Sequence, residues 1–343
     1  MEKKDLQFHQ SEDVFSILKL MRGSRLWPGI CKAGMGRFPF EEDMFRSVRE
    51  GNPLPQKYYY LEQGERFAFF SSYENRMDLL TFGRAQWFMK LRSIAFPCSL
   101  SSGGYLTNDT EWMLEKICAL PGCSLVLNLP KAYRIRGMAC GETLPTCILT
   151  LRPEHRDLGG YLASLRSPYR RRIALALRHC EGVDVQDCKD NSIDVYPLYR
   201  QTFERSEYKL ECLERSFFES VEGERLVFLR EGRAVGFVLL RRNGEELVFL
   251  LCGMDYAEEE RGCKTADLYY FMLLKIVEYA ITHQLKRIDL GQTSEQTKLK
   301  FGAVLEKRYF CAHHANPLLN LVAVLGKSIL EYRYSFPEYR VFK

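Results

Sequence analysis

The chain has 343 residues, of which 46% are hydrophobic, 27% charged and 13% aromatic, a composition that can fill a core and excludes a disordered or collagen-like chain. At about 150 residues per domain, this length implies two modules rather than one. Lys and Arg number 49 against 44 Asp and Glu, a net charge of +5, which points to a local anionic site rather than a surface that coats nucleic acid.

In chain order, a helix-like segment over Glu41 to Val48 precedes two aromatic strand-like runs, Tyr58 to Leu61 and Arg66 to Phe70. The short Glu62 to Glu65 turn between them makes these a hairpin. Asn108 is placed to cap a helix running through Trp112 and Leu114 to about Ala119, which Pro121 and Gly122 stop before a strand over Ser124 to Leu129. A strand-like run over Thr146 to Leu151 closes this α/β module.

The second half opens on a basic helix in two pieces. Ser167 offers a capping hydroxyl before Pro168, and Leu162, Leu165, Tyr169, Ile173 and Ala176 keep a 3–4 residue spacing. The other face carries Arg166, Arg170, Arg171, Arg172 and Arg178. Three strands follow, Leu226 to Leu229, Ala234 to Leu240 and Glu246 to Cys252, joined by the turn dipeptides Glu231-Gly232 and Asn243-Gly244 into an antiparallel meander. A long helix with Tyr269, Met272, Leu273, Ile276, Val277, Ala280 and Ile281 on one stripe leads to a short strand, Arg287 to Leu290. Thr293 to Phe301 reads as a further helix and Leu305 to Ala312 as a last strand. This order describes an α+β layer rather than a doubly wound parallel sheet, and the similar order in the two halves fits a diverged duplication.

Twelve cysteines are scattered along the chain, and the charged start from Met1 to Asp5 has no apolar run behind it. Reduced thiols in a cytoplasmic protein are therefore expected. Cys311, His313 and His314 lie close together without a Cys-x-x-Cys partner, so no metal site is expected. No run approaches the ~20 apolar residues of a membrane span. Leu318 to Leu325 is far too short for one and reads as a core helix, while peripheral contact with a membrane stays open.

From Leu158 onward, the arginine-rich opening helix, the Ile288 to Gly291 strand end and the Lys298, Phe301, Gly302 and Ala303 run resemble the C-terminal half of the Fem-type and BioF2-like acyltransferases of the GNAT superfamily. The resemblance covers about Leu158 to Asn320, and the first 150 residues only by architecture and length. It implies an α+β (mixed α/β) fold of tandem GNAT-like domains, each a mixed, mainly antiparallel sheet flanked by helices. A degenerate N-terminal domain would span 1–156 and an acyltransferase domain 157–343. The implied activity is transfer of an activated acyl or aminoacyl group to an amine, forming an amide in a cell-wall precursor or a natural-product or lipid pathway. The donor would be a co-substrate, with no tightly bound cofactor: aminoacyl-tRNA, a carrier-protein thioester or acyl-CoA.

In Fem-type enzymes a lysine followed after two residues by Phe-Gly is tied to the transfer step, and Lys298 is the matching position. Amide formation passes through a tetrahedral oxyanion, which a fixed cation stabilises by roughly 3–4 kcal/mol. Lys298 supplies that cation, or else is a surface lysine near Lys300. Asp289, between Ile288 and Leu290, orients an amine or a lysine, or forms a buried ion pair. Gln292, Thr293, Phe301 and Gly302 are implied substrate contacts, although Thr293 and Gln296 also form a capping-box pattern.

A CoA-binding acetyltransferase carries an Arg/Gln-x-x-Gly-x-Gly/Ala loop after its meander, whose amides cradle a pyrophosphate. Here the corresponding donor-binding positions are Arg261, Lys264, Thr265 and Ala266; Lys264 replaces the central glycine, and Glu258, Glu259 and Glu260 lie just upstream. That charge disfavours the usual CoA mode and moves weight to aminoacyl-tRNA or a carrier thioester, with an acyl-CoA N-acetyltransferase or a non-catalytic GNAT-like binding module as alternatives. Arg170, Arg171 and Arg172 suit an anionic, amine-bearing acceptor or a tRNA backbone, or else form a solvated helix face. Tyr105, at the end of a Gly-Ser loop, is a further implied substrate-lining residue.

Overall fold

The computed structural model describes residues 5–78, 88–98, 100–188, 192–206, 212–257 and 264–343. The elements begin with β1 (Gln7–Ser11), α1 (Val14–Gly23), α2 (Trp27–Ala33), α3 (Glu42–Gly51), β2 (Gln56–Gln63), β3 (Arg66–Asp78), β4 (Phe88–Ile94), β5 (Tyr105–Thr107) and α4 (Thr110–Ile117). They continue through β6 (Cys123–Leu129), β7 (Ala139–Thr150), α5 (Leu158–Ser164), α6 (Ser167–His179), β8 (Val183–Asp187), α7 (Tyr196–Arg205), α8 (Arg215–Ser220), β9 (Glu224–Arg230), β10 (Arg233–Asn243) and β11 (Glu246–Met254). Last come α9 (Thr265–Thr282), β12 (Arg287–Asp289), α10 (Glu295–Leu299), β13 (Val304–His314), α11 (Pro317–Leu325) and α12 (Lys327–Leu330).

The chain divides into two compact units, neither of them contiguous. The first comprises Met1–Leu144, Leu210–Leu213 and Lys307–Tyr334; the second comprises Pro145–Lys209, Glu214–Glu306 and Ser335–Lys343. In the first, β1 to β4 pair antiparallel in sequence, β6 lies parallel to β4, and β13 pairs antiparallel with β6. In the second, β8 to β11 pair antiparallel, β12 lies parallel to β11, and β7 pairs antiparallel with β12. The two units thus repeat one pairing series, and each parallel step is bridged by a helix, α4 or α9, as a parallel crossover requires. Each is a mixed α+β layer with a mainly antiparallel sheet. In each, the final strand comes from a distant part of the sequence: Tyr309 to His314 of β13 in the first, Ile148 to Thr150 of β7 in the second.

Local chemistry explains the hairpins. Glu231 and Gly232 both take positive φ, 51° and 75°, the type I′ habit that matches strand twist. After Asn243 the turn is Gly244 and Glu245, one residue later than the dipeptide suggests, with only Gly244 at positive φ. In the second unit, α9 buries Leu268, Met272, Leu273, Ile276, Val277 and Ala280 in one cluster with strand residues such as Phe228, Val238, Leu247 and Ile288. The first unit has its own core, where Tyr59 stacks on Phe70 at 4.7 Å and Trp112, Met113 and Ile117 of α4 pack against the sheet.

Four expectations change. Asp109, not Asn108, caps α4 by accepting from the Trp112 N–H, while Asn108 ties Phe67 N to Glu65 O across the hairpin end. The α6 cap position is Arg166, and the Ser167 hydroxyl instead accepts from Arg171 Nε. Cys140 of β7 and Cys311 of β13 form a disulfide, their Cα atoms 4.2 Å apart in the first unit, against the expectation of reduced thiols throughout. Finally, α11 is no core helix. None of its residues is buried, because only Ala323 and Val324, with Leu330 of α12, reach the small cluster around Phe310 and Ala312. Among the described residues, no helix is long and apolar enough to cross a membrane.

Candidate active site

The second unit carries an unusual concentration of buried polar groups where β12 ends. Asp289 is the last residue of β12, paired with Val248 on one side and Ile148 on the other. Its Oδ1 accepts from Thr146 Oγ1 at 2.6 Å and from the Gly291 N–H at 2.8 Å. The second bond closes a turn that Gly291, at φ 74°, allows without a Cβ penalty. Thr293 and Ser294 then take left-handed conformations in succession, φ 62° and 51°, a strained combination for non-glycine residues that persists only where surrounding contacts enforce it. Ser294 occupies the α10 cap position without a side-chain cap bond, so the Thr293 capping box does not form.

Lys298 enforces that loop. It projects from α10 into the interior, where its Nζ donates to Gln292 O at 2.8 Å and to Gly291 O at 3.2 Å. Gly291 O also accepts from the Cys147 N–H, and the Leu290 N–H returns to Cys147 O. Burial pushes the Lys298 ammonium below its ordinary 10.5, against the opposing pull of Cys147, Cys252, Asp289 and Glu295. Burial also pushes the Cys147 thiol up to about 12 and Cys252 up to about 11. Tyr269, which hydrogen-bonds Ser294, is held well above its usual range for the same reason. These thiols are therefore neutral at pH 7 and poor nucleophiles, whereas the lysine, when protonated, keeps one N–H beyond its two carbonyl bonds.

The other expected residues distribute as follows. Gln292 and Thr293 lie in the loop that Lys298 holds, and Gln292 contributes its main-chain carbonyl to that hold. Phe301 is a core residue, its ring 5.3 Å from Tyr270 and its carbonyl accepting from Tyr161. Gly302, at φ 87°, leaves the space the Phe342 ring fills. Arg170 and Arg171 are exposed on α6. Arg172 turns the other way, its Nη1 2.7 Å from Asp267 Oδ1 and its guanidinium stacked 3.9 Å over Tyr270. Asp267, in the first turn of α9, also meets His179 at 2.7 Å. Burial raises its carboxyl, but the His179 hydrogen bond and the Arg172 charge outweigh that and hold it below the usual carboxylate range. Lys264 and Ala266 are exposed at the start of α9, with Thr265 half-buried between them. Arg261 and the three glutamates before it lie outside the described residues. Tyr105 belongs to the first unit, where it packs against the α4 core and burial pushes its phenol up.

Sequence reading missed Thr146, Cys147, Cys252, Tyr269 and Glu295. The first four sit in apolar strand or helix runs where nothing separates a site residue from a core one. Glu295 was open to inference, since it precedes Lys298 by three positions and so shares a helix face with it. Among the described residues, no group of three His, Cys, Asp or Glu could hold a metal ion.

One consequence concerns Asp289 directly. Asp289→Ala leaves the Thr146 hydroxyl and the Gly291 N–H without their acceptor and is expected to cost about 2–3 kcal/mol. Asp289→Asn keeps an oxygen at Oδ1 and should melt within a few degrees of the parent; thermal unfolding of both variants checks this.

No family model matches the chain, and no curated protein matches it. Solved structures similar to it include a tandem GNAT protein from the clavulanic acid biosynthesis pathway, at 11% identity over 91% of this chain and 99% of that one, with a TM-score of 0.49. The L-PGS structure from Bacillus licheniformis matches at 11% identity over 86% of this chain and 98% of that one, TM-score 0.48. FemX matches at 13% identity over 77% and 90%, TM-score 0.43.

Proposed function

We propose that the chain is an acyltransferase of the GNAT type, built from two GNAT-like units, that forms an amide from an activated acyl or aminoacyl donor and an amine. In this reaction the amine nitrogen bonds to the acyl carbon, the ester or thioester bond breaks, and an amine proton ends on the departing oxygen or sulfur. The observation that carries the reading is Lys298: a buried amine whose Nζ is fixed by two carbonyls at the end of β12, and which in its protonated form has an N–H to spare. Such a cation costs no reorganisation when an oxyanion forms beside it. The neutral thiols of Cys147 and Cys252 favour direct attack by the amine over a cysteine-bound intermediate.

Asp289 acts as a positioning residue, holding the Gly291 turn whose carbonyl holds Lys298. Gln292 and Thr293 contact substrate from the same loop, while Phe301 and Gly302 pack in the core beside Tyr270 and Phe342. The exposed Arg170 and Arg171 take the anionic part of the acceptor, and Arg172 contributes through its ion pair with Asp267. Lys264, Thr265 and Ala266 contact the donor, a role Arg261 shares by its place in the same motif, and Tyr105 lines substrate within the first unit.

The donor is an aminoacyl-tRNA or a carrier-protein thioester. Acyl-CoA is the second reading, favoured by the exposed Lys264 at the positive end of an 18-residue helix whose Asp267 is paired with Arg172. The test is incubation with each donor class and phosphate-bearing amines, followed by mass spectrometry. An amide product with one donor is expected. Binding of a donor without any product would turn the reading to a non-catalytic binding module.

A further inference from the structure

In the first unit, α11 and α12 turn their apolar side outward. Leu318, Leu321, Val322, Leu325 and Ile329 follow helical spacing along one stripe, with Leu319 beside it; Leu318 and Leu325 are 75% and 76% exposed and Ile329 58%. The inward side is minor, consisting of Ala323, Val324 and Leu330 on the Phe310 cluster. A helix that hides its small residues and presents its leucines is arranged oppositely to a core helix, and exposed apolar patches of this kind mark interaction sites.

Charge identifies the partner. The segment 130–138 is clamped to α11, because Asn320 Nδ2 donates to Gly137 O at 2.8 Å and the His313 ring nitrogen Nδ1 lies 2.9 Å from the same oxygen. That segment contains Lys131, Arg134 and Arg136, all exposed, and no carboxylate. Lys327 of α12 adds a fourth exposed cation. Of the nearest carboxylates, Glu142 is paired with Lys307 and Glu331 lies half-buried against Gly141. We propose that this face is a docking surface for an anionic lipid bilayer, with the α11 and α12 leucines entering the interface and the cations of 130–138 and Lys327 meeting lipid phosphates. Apolar residues beside Lys and Arg are the combination that interfacial helices use. A second copy of the chain fits less well, since the two faces would bring like charges together. Six apolar side chains also fall short of the about 20–30 residues a side of a stable protein interface.

The test is flotation of the full chain with vesicles of phosphatidylcholine and phosphatidylglycerol in equal parts, and with phosphatidylcholine alone. Flotation with the mixed vesicles is expected, weakened by salt and largely lost without the anionic lipid. The triple variant Lys131→Glu, Arg134→Glu, Arg136→Glu should lower the partition coefficient about 100-fold or more, at about tenfold or less per cation lost. Leu318→Asp with Leu325→Asp should abolish it. Both changes fall on exposed positions, and circular dichroism melting confirms that the variants fold. Absence of flotation, or flotation insensitive to the charge reversal, overturns the proposal. A dimer in light scattering that the Leu→Asp pair disperses, in a protein that does not float, assigns the face to a second copy instead.

Discussion

Lys298→Ala is expected to slow amide formation by about 100- to 1,000-fold, the loss that follows removal of one oxyanion-stabilising donor. It should also destabilise the second unit by about 2 kcal/mol, because Gln292 O, and in part Gly291 O, lose a buried hydrogen bond. Lys298→Met keeps the length of the side chain and removes the donors, so it shares the loss of the carbonyl bonds while leaving no cavity. If the methionine variant is still fully folded at the assay temperature and loses the rate, the cation acts on the reaction and not through the fold. Steady-state rates with the donor found active, set beside thermal melts, make the comparison.

Gly302→Ala should be among the most damaging single changes to the fold. Its φ of 87° disfavours any L side chain, and a Cβ there would sit 2.3 Å from the Phe342 ring. Strain and the forced shift of Phe342 together are expected to cost about 4 kcal/mol. Phe342→Ala, combined with it, should recover part of that loss, because the ring no longer opposes the methyl group. Denaturant unfolding of the single and double variants checks the coupling; equal stability of Gly302→Ala and the parent would show that the motif glycine answers to substrate alone.

The Lys298, Phe301, Gly302 run therefore carries more than one kind of information. The lysine meets buried carbonyls, while the phenylalanine and glycine fill and empty one part of the core. From sequence the three look alike, since a short motif records that residues are needed and not why. Hairpins and the meander were legible because aromatic and β-branched runs alternate with Gly-containing turns, and Glu231-Gly232 adopts the geometry its composition favours. Both β7 and β13 were legible as strands, but their places at the end of each unit's series were not, because they pair with partners remote in sequence and no local pattern encodes a distant neighbour.

Charged residues divide in the same way. The arginine row on α6 reads as one face, yet Arg172 leaves it for Asp267 and Tyr270 while Arg170 and Arg171 stay in solvent. An ion pair between helices 95 positions apart, residues 172 and 267, lies beyond any periodicity. The α11 leucines misled for a complementary reason. A run of seven apolar residues and Asn320 over Leu318 to Leu325 predicts burial, yet none of them is buried.

The most direct measurement is the single-turnover rate of amide formation across pH. Burial lowers the Lys298 ammonium below 10.5 in the folded chain, so it sheds its proton earlier than a free lysine would. Over the same interval the penalty for burying the charge is relieved, and stability rises as pH climbs through the folded value toward 10.5. The rate should fall along a descending limb centred below 10.5 in the parent, and Lys298→Met should lose that limb along with the rate advantage. A parental rate that stays level through this range, or a Lys298→Met variant that turns over as fast as the parent, would contradict the role of the buried cation.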